Sequence, residues 1–475
     1  MLFRSVSRAR SPMPRINSPM VGLALVALAG TLVVWRPWAV PPDLPEPADT
    51  ELTPAQQAAA AAAQILSPRL PRAPTALRSA LMVLPVENAS ADPAERYFAE
   101  GLTEELIGSL ARGAALAVIG RHTALDHRDG PLAMQALSQA LGVRFMLQAD
   151  LRRENGRLVL NARLIDAVSE QPIWSERYDR PIGDILAVQA ELTHRVTVTV
   201  APTAQTRSPA PSGSIGPDTL EALDLLFRAG ASERIGSFDQ VGEARQLLQR
   251  AIALDPAFMP AYPRLHRVMN RFLTEVQSPE FNSPATAQRL LELAAKAVSL
   301  DPMHPLARAL YAESLTLVGQ HGTAMAQIDA VVSSTTTDID LLRSAAIIAA
   351  RSGDFDRAAT LLKRGIKLDP ASGLAYWAEP LAGVLYQQGN YAEAIAVATQ
   401  CVHRHPDDPY CRLGLAAALA QAGQLNAAQR ATADARAKFP SLTLKSAALR
   451  AGIGHRDPEY ARHYAEGLRK AGMPD

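Results

Sequence analysis

The stretch from Ala375 to Pro409, AYWAEPLAGVLYQQGNYAEAIAVATQCVHRHPDDP, decides the fold. Two apolar-periodic runs meet at Gly389, and the second stops at Pro406. Glycine supplies a left-handed helix end and proline disfavours helix continuation, so Gly389 and Pro406 punctuate a helix–turn–helix. The same punctuation recurs on both sides. Gly319, Gly353, Gly389 and Gly423 are separated by 34, 36 and 34 residues. Pro370, Pro406 and Pro440 stand 17 residues after the last three, Thr336 fills that slot after Gly319, and Pro302 precedes Gly319 by 17. Ala312, Ala346, Ala382 and Ala416 lie seven before each Gly, and Ala324, Ala358, Ala394 and Ala428 five after.

A 34-residue helical hairpin with small residues where its helices cross is the tetratricopeptide pattern. Leu-Asp-Pro at 254–256, 300–302 and 368–370 marks further helix ends. The 46-residue spacing from Pro256 to Pro302 implies an insertion near Gln277 to Pro284. Counting back gives six repeats, with a terminal helix pair from about Leu444 to Gly472 as a cap, and the array takes residues 218–475. Such arrays present a concave groove lined by the first helix of each repeat. By repeat position the candidate groove residues are Glu313, Arg343, Tyr376, Glu379, Tyr386 and Tyr410. Arrays of this kind usually bind protein or peptide segments there, and the mixed polarity of these residues announces no charged ligand. Solvent-facing or inter-repeat packing is the plain alternative for each.

The 475 residues are 48% hydrophobic, 5% aromatic and 20% charged, with 48 Lys+Arg against 47 Asp+Glu. That composition permits a large aliphatic core and provides no global basic field to hold nucleic acid. The balance hides an asymmetry. No acidic residue precedes Asp43, whereas Arg4, Arg8, Arg10, Arg15 and Arg36 do. The apolar run Met20 to Trp35 reaches about 24 Å as a helix, close to a span once Pro19 and a snorkelling Arg36 are added. The four leading arginines put the N-terminus in the cytoplasm. Residues 1–18 read as a basic cytoplasmic N-terminus and 19–36 as a transmembrane anchor. The body then lies outside the inner membrane, in the periplasm of a bacterium. A cleaved signal peptide ending near Ala27-Leu28-Ala29 also exports the body, and a buried soluble helix is the third reading. Nine prolines make 37–78 a semi-extended spacer.

Between this spacer and a Pro/Ser-rich linker at 201–217 lies an α/β pattern at 79–200. Ala80 to Pro85 reads as a buried strand, and Asp92-Pro93 opens a helix to about Ala111. Leu116 to Gly120 is a strand and Leu132 to Leu141 a helix. Arg144 to Arg153 and Arg157 to Asp166 are strands joined by the turn Glu154-Asn155-Gly156. Ile173 to Tyr178 adds a strand, and Asp184 to Val200 a closing helix. The segments Val83-Leu84-Pro85-Val86-Glu87-Asn88, Phe98-Ala99-Glu100-Gly101-Leu102-Thr103-Glu104-Glu105-Leu106, Leu141-Gly142-Val143-Arg144 and Ile173-Trp174-Ser175-Glu176-Arg177-Tyr178-Asp179 resemble the TolB-N-like (FlgO-like) module. That resemblance implies a sensory or scaffolding part beside tetratricopeptide repeats. Relatives with this module often carry a class III adenylate cyclase or a CadC-like winged-helix domain at the N-terminus. Only 18 residues precede the apolar run here, so the chain reads as the envelope-facing part alone.

No phosphate-cradling loop, dinucleotide fingerprint, zincin motif or nucleophile elbow occurs. Cys401, His403, His405 and Cys411 could hold zinc, but positions 401 and 403 diverge on a helix. A Cys401–Cys411 disulfide across one turn fits an oxidising compartment, and two buried thiols are the bland reading. Tyr97, Glu104 and Glu105 read as ordinary solvated helix residues in preference to an acid/base site. Arg152, Arg153, Arg157 and Arg163 decorate a hairpin without interleaved aromatics, and His122 and His127 read as surface-loop histidines. No catalytic residue, cofactor or metal is expected. The reading is a non-enzymatic, membrane-anchored scaffold or sensory protein. The alternative is a regulatory subunit acting on a separate adenylate cyclase or CadC-like regulator.

Overall fold

The computed structural model describes residues 80–90, 92–112, 117–119, 138, 142–201, 214–235, 238–275, 283–332, 338–368, 375–406 and 408–474. The expected cytoplasmic N-terminus, anchor and spacer (1–78) lie outside the described residues, as do His122, His127 and most of the helix expected at 132–141. Among the described residues no helix is long and apolar enough to cross a membrane.

The N-terminal part is a mixed sheet. Its strands are β1 (Ala80–Val83), β2 (Glu87–Asn88), β3 (Ala117–Val118), β4 (Phe145–Glu154), β5 (Arg157–Asp166) and β6 (Gln171–Pro181), ordered β3-β1-β4-β5-β6 with β2 also on β4. β1 runs parallel to β3 and β4, whereas β4, β5 and β6 are antiparallel neighbours. Asn155 (φ 50) and Gly156 (φ 72) turn β4 into β5, with both positive φ values that a tight hairpin demands. β6 extends beyond the expected six residues because it follows β5 to Pro181. Two helices pack with this sheet, α1 (Arg96–Arg112) and α2 (Ile185–Val200).

Fourteen helices follow among the described residues and form seven hairpins: α3 (Pro217–Ile235) with α4 (Phe238–Leu254), α5 (Ala261–Glu275) with α6 (Pro284–Leu300), α7 (Pro305–Leu317) with α8 (His321–Asp329), α9 (Ile339–Arg351) with α10 (Phe355–Leu368), α11 (Ala375–Gln387) with α12 (Tyr391–Arg404), α13 (Pro409–Gln421) with α14 (Leu425–Lys438), and α15 (Leu444–Gly452) with α16 (Glu459–Lys470). The periodic glycines end the first helix of four hairpins at φ between 75° and 92°. Each carries the same pair of backbone bonds; at Gly389 these are Asn390 N–H to the Leu385 carbonyl (3.0 Å) and Gly389 N–H to the Tyr386 carbonyl (3.0 Å). This is the Schellman arrangement, which satisfies helix-end carbonyls and requires a residue tolerant of positive φ. The eight periodic alanines are all buried, so helix crossings are close where the side chain is a single methyl.

The α/β part and the repeats are not independent bodies. One apolar core runs from Ala80 through the sheet and α1 into α3, α4 and α5 and as far as Ala307; a second runs from Ala309 to Met473. The first is continuous because Phe98 of α1 meets Phe227 of α3 edge-to-face (4.9 Å), and Gly101 leaves room for the Phe227 ring. Polar bonds surround this contact. Tyr97 Oη donates to Asp224 (2.5 Å), Arg153 pairs with Glu95 (2.9 Å) and Asp224 (3.4 Å), and Arg264 pairs with Glu104 (3.0 Å) and Glu233 (2.7 Å). Glu104 is therefore a nearly buried ion-pair partner, not the solvated acid expected from sequence. Arg153 lies 4.0 Å over the Phe98 ring, so the hairpin arginines are not a uniform surface patch.

Candidate functional site

The first helices of five successive hairpins line one cavity of about 820 Å³. Because hairpins stack with their first helices inward, this is the inner face of the array. Asn270 and Arg271 of α5, Glu313 of α7, Arg343 and Arg351 of α9, Glu379 of α11 and Tyr410 of α13 contribute to its wall. The far wall comes from the C-terminal segment, through Arg450, His455, Tyr460 and Tyr464.

Two ion pairs organise the charge. Glu313 is 3% exposed, faces Arg351 Nη1 at 3.5 Å, and accepts from Asn270 Nδ2 (3.3 Å). Arg351 also donates to Thr316 Oγ1 (3.3 Å), and burial holds its guanidinium below the usual arginine range. Glu379 binds Arg450 at 2.9 Å, and the Arg450 guanidinium sits 3.5 Å from the centre of the Tyr410 ring. Burial opposes the charge on Arg450, but Glu379 and the surrounding tyrosines raise its pKa overall. Next to Glu313, His266 is fully buried; its Nε2 lies 2.7 Å from Ser314 Oγ. The Ser314 hydroxyl donates to the Leu310 carbonyl (2.9 Å), so His266 Nε2–H donates to Ser314 Oγ. Burial lowers the His266 pKa from 6.5 to about 4.

The structure thus brings Glu313, Arg343, Glu379 and Tyr410 to one cavity. Tyr386 lies outside it, packed beneath α16 against His463 (4.6 Å) and Tyr464 (5.8 Å). Tyr376 falls at the start of α11, with its side chain outside the described residues. Sequence reasoning missed several lining residues, among them Arg351, Arg450, Tyr460 and Tyr464. Arg351 precedes a periodic glycine by two and was legible by repeat position. The other three come from the terminal hairpin, whose return over the groove leaves no local signal. Cys401 and Cys411 are joined across the turn between α12 and α13, with Cα atoms 5.7 Å apart. Among the described residues no three His, Cys, Asp or Glu side chains cluster as a metal site.

Two tetratricopeptide-repeat family models match the chain, at residues 344–409 and 385–451. The hairpins within residues 344–451 are therefore tetratricopeptide repeats. A curated relative, "Putative adenylate cyclase 3" of Rhizobium meliloti (strain 1021), is 32% identical over 247 residues, covering 50% of this chain and 39% of that protein. The chain thus spans about two-fifths of that relative's length. Among solved structures, PilW, a widely conserved type IV pilus biogenesis factor, matches 48% of this chain and 96% of its own at 18% identity and a TM-score of 0.36. PilF of Pseudomonas aeruginosa matches 49% and 97% at 14% identity and a TM-score of 0.33.

Proposed function

We propose that the protein is a non-enzymatic scaffold that binds segments of partner proteins on the inner face of its tetratricopeptide array. The observation that carries this reading is the cavity walled by Glu313, Arg343, Glu379 and Tyr410, where five successive hairpins converge. Charged, amide and aromatic groups at fixed spacing suit a peptide that offers both backbone and side-chain partners. The α/β part, read as TolB-N-like, is the sensory end. The segment 19–36 anchors the chain in the bacterial inner membrane, with the bulk in the periplasm.

Two experiments test this. Partners captured by the full chain through an in-cell photocrosslinker at Arg343 are lost when Tyr410→Ala and Glu379→Lys are combined; retention of the same partners rejects the groove. Alkaline phosphatase fused to the C-terminus is active in the exported topology, and activity confined to a cytoplasmic reporter rejects it.

A second reading follows from the relative named as an adenylate cyclase, which shares 247 aligned residues with this chain. In that reading the protein regulates a separate cyclase or a CadC-like transcription factor across the membrane. Deleting the chain then changes cellular cyclic AMP or target transcription; a deletion that alters neither removes this alternative.

A further inference from the structure

The terminal hairpin does not extend the array as another repeat. α16 turns back over the inner face and packs on α13, three helices earlier in the chain. The connection before α16 and α16 itself also touch earlier repeats: Arg456 N–H donates to the Arg351 carbonyl (2.8 Å), and Tyr460, stacked on the adjacent His455 (3.5 Å), meets Phe355 (6.0 Å). The array reads the α16 backbone directly. Tyr386 Oη donates to the His463 carbonyl (2.8 Å) and Gln387 Nε2 to the Tyr460 carbonyl (3.1 Å). Helix carbonyls keep a second lone pair after their own ladder bond, so any helix laid in this register can accept these two donors. Gly467 permits the approach, because a Cβ there would run into Tyr386 Oη and Ala417.

α16 rests on the array through the half-buried Tyr460, Tyr464 and Ala465, with Ala471 and Met473 buried just beyond its end, and it is less buried than the helix beneath it. Within α16 only Gly467 and Leu468 are buried, against seven residues in α13. Glu459, Arg462, Glu466, Arg469 and Lys470 face solvent. The connection from α15 bends at Gly454 (φ 71) and Pro458, outside helical structure. The cavity of about 820 Å³ remains between the segment and the groove floor. Segments with fewer buried apolar contacts open at lower free energy than the core they rest on.

We propose that α16 is a displaceable latch on the peptide groove, and that the groove takes in its place a partner helix of the same kind. Resting on the groove reading above, this defines the partner's contact face. That face carries aromatic side chains at i and i+4 and glycine or alanine at i+7, the spacing of Tyr460, Tyr464 and Gly467 on one side of a helix. The latch competes with such a partner at high effective concentration, so binding is weak until the latch is released.

The test uses the full chain and a fluorescein-labelled peptide of residues 456–474, with no partner present. Gly467→Val drives α16 off Tyr386 and Ala417. Peptide anisotropy then shows at least tenfold tighter binding to this variant than to the unaltered chain. Equal binding to both, or no binding to a variant whose circular dichroism shows intact helices, overturns the latch. A second measurement needs no variant. By hydrogen–deuterium exchange, amides of Glu459–Lys470 exchange at least tenfold faster than those of Pro409–Gln421. Equal protection makes α16 part of the array's core and overturns the proposal. Loss of the groove reading is scored separately, by the crosslinking experiment.

Discussion

The guanidinium of Arg450 is clamped between the Glu379 carboxylate at 2.9 Å and the face of Tyr410 at 3.5 Å from its centre. These three residues come from α15, α11 and α13, so one side chain ties the returning segment to two inner helices. Arg450→Ala leaves the half-buried Glu379 without its cation and strips the tyrosine face. Discounted for partial exposure, the expected cost is about 1–2 kcal/mol. Urea unfolding measures it, and adding Glu379→Gln recovers part of the loss. A double variant as unstable as the sum of both singles would show that the pair is not coupled.

Acid weakens the array through His266. Its folded pKa of about 4 lies below the ordinary 6.5 because burial disfavours the charged ring. The unfolded chain therefore binds this proton first as pH falls. The contribution is complete above pH 6.5 and is lost progressively down to about pH 4. Between pH 7 and 4.5 the expected loss is about 2–3 kcal/mol. Urea midpoints at the two pH values measure it, and His266→Gln flattens the difference.

Reduction loosens the turn between α12 and α13. The bond joining Cys401 and Cys411 closes a short loop, and loop entropy assigns it about 2–3 kcal/mol. Non-reducing peptide mapping of the purified chain yields the two cysteine peptides joined. Cys401→Ser with Cys411→Ser lowers the urea midpoint accordingly; two free thiols in the map would refute the pairing.

Two glycines of neighbouring repeats respond oppositely. Gly389 ends α11 at φ 75°, where an added Cβ is strained, and Gly389→Ala costs about 1–2 kcal/mol. Gly414 sits inside α13, and a Cβ added there would meet nothing within 4 Å. Gly414→Ala is therefore neutral or stabilising by up to about 1 kcal/mol. Thermal denaturation of both variants checks the contrast.

The legible part of this protein is the local part. Gly319, Gly353, Gly389 and Gly423 announce helix ends because a positive φ is a property of one residue and its neighbours. The turn at Asn155-Gly156 is legible for the same reason. Glu313, Arg343, Glu379 and Tyr410 follow from repeat register, since stacking sends equivalent positions to the same face. Tyr386 obeys the same register yet is covered by His463 and Tyr464, which arrive more than seventy residues later. Glu104 resembles any exposed helix acid until Arg264, 160 positions on, closes over it. Nothing in a local pattern encodes such returns, because their cause is the path of the whole chain.

The Phe98–Phe227 contact has a consequence for how the array ends. An open stack of hairpins offers an unfinished apolar surface at each terminus, which invites another copy to continue it. Here α1 closes the first terminus: Phe227 is 2% exposed, with Phe98 of the sheet domain lying against it. The α/β domain thus acts as a stopper as well as a module in its own right. A fragment beginning at Pro217 loses the stopper and self-associates end to end. Light scattering detects this as a mass rising with concentration, and a strictly monomeric fragment would show that the terminus needs no cover.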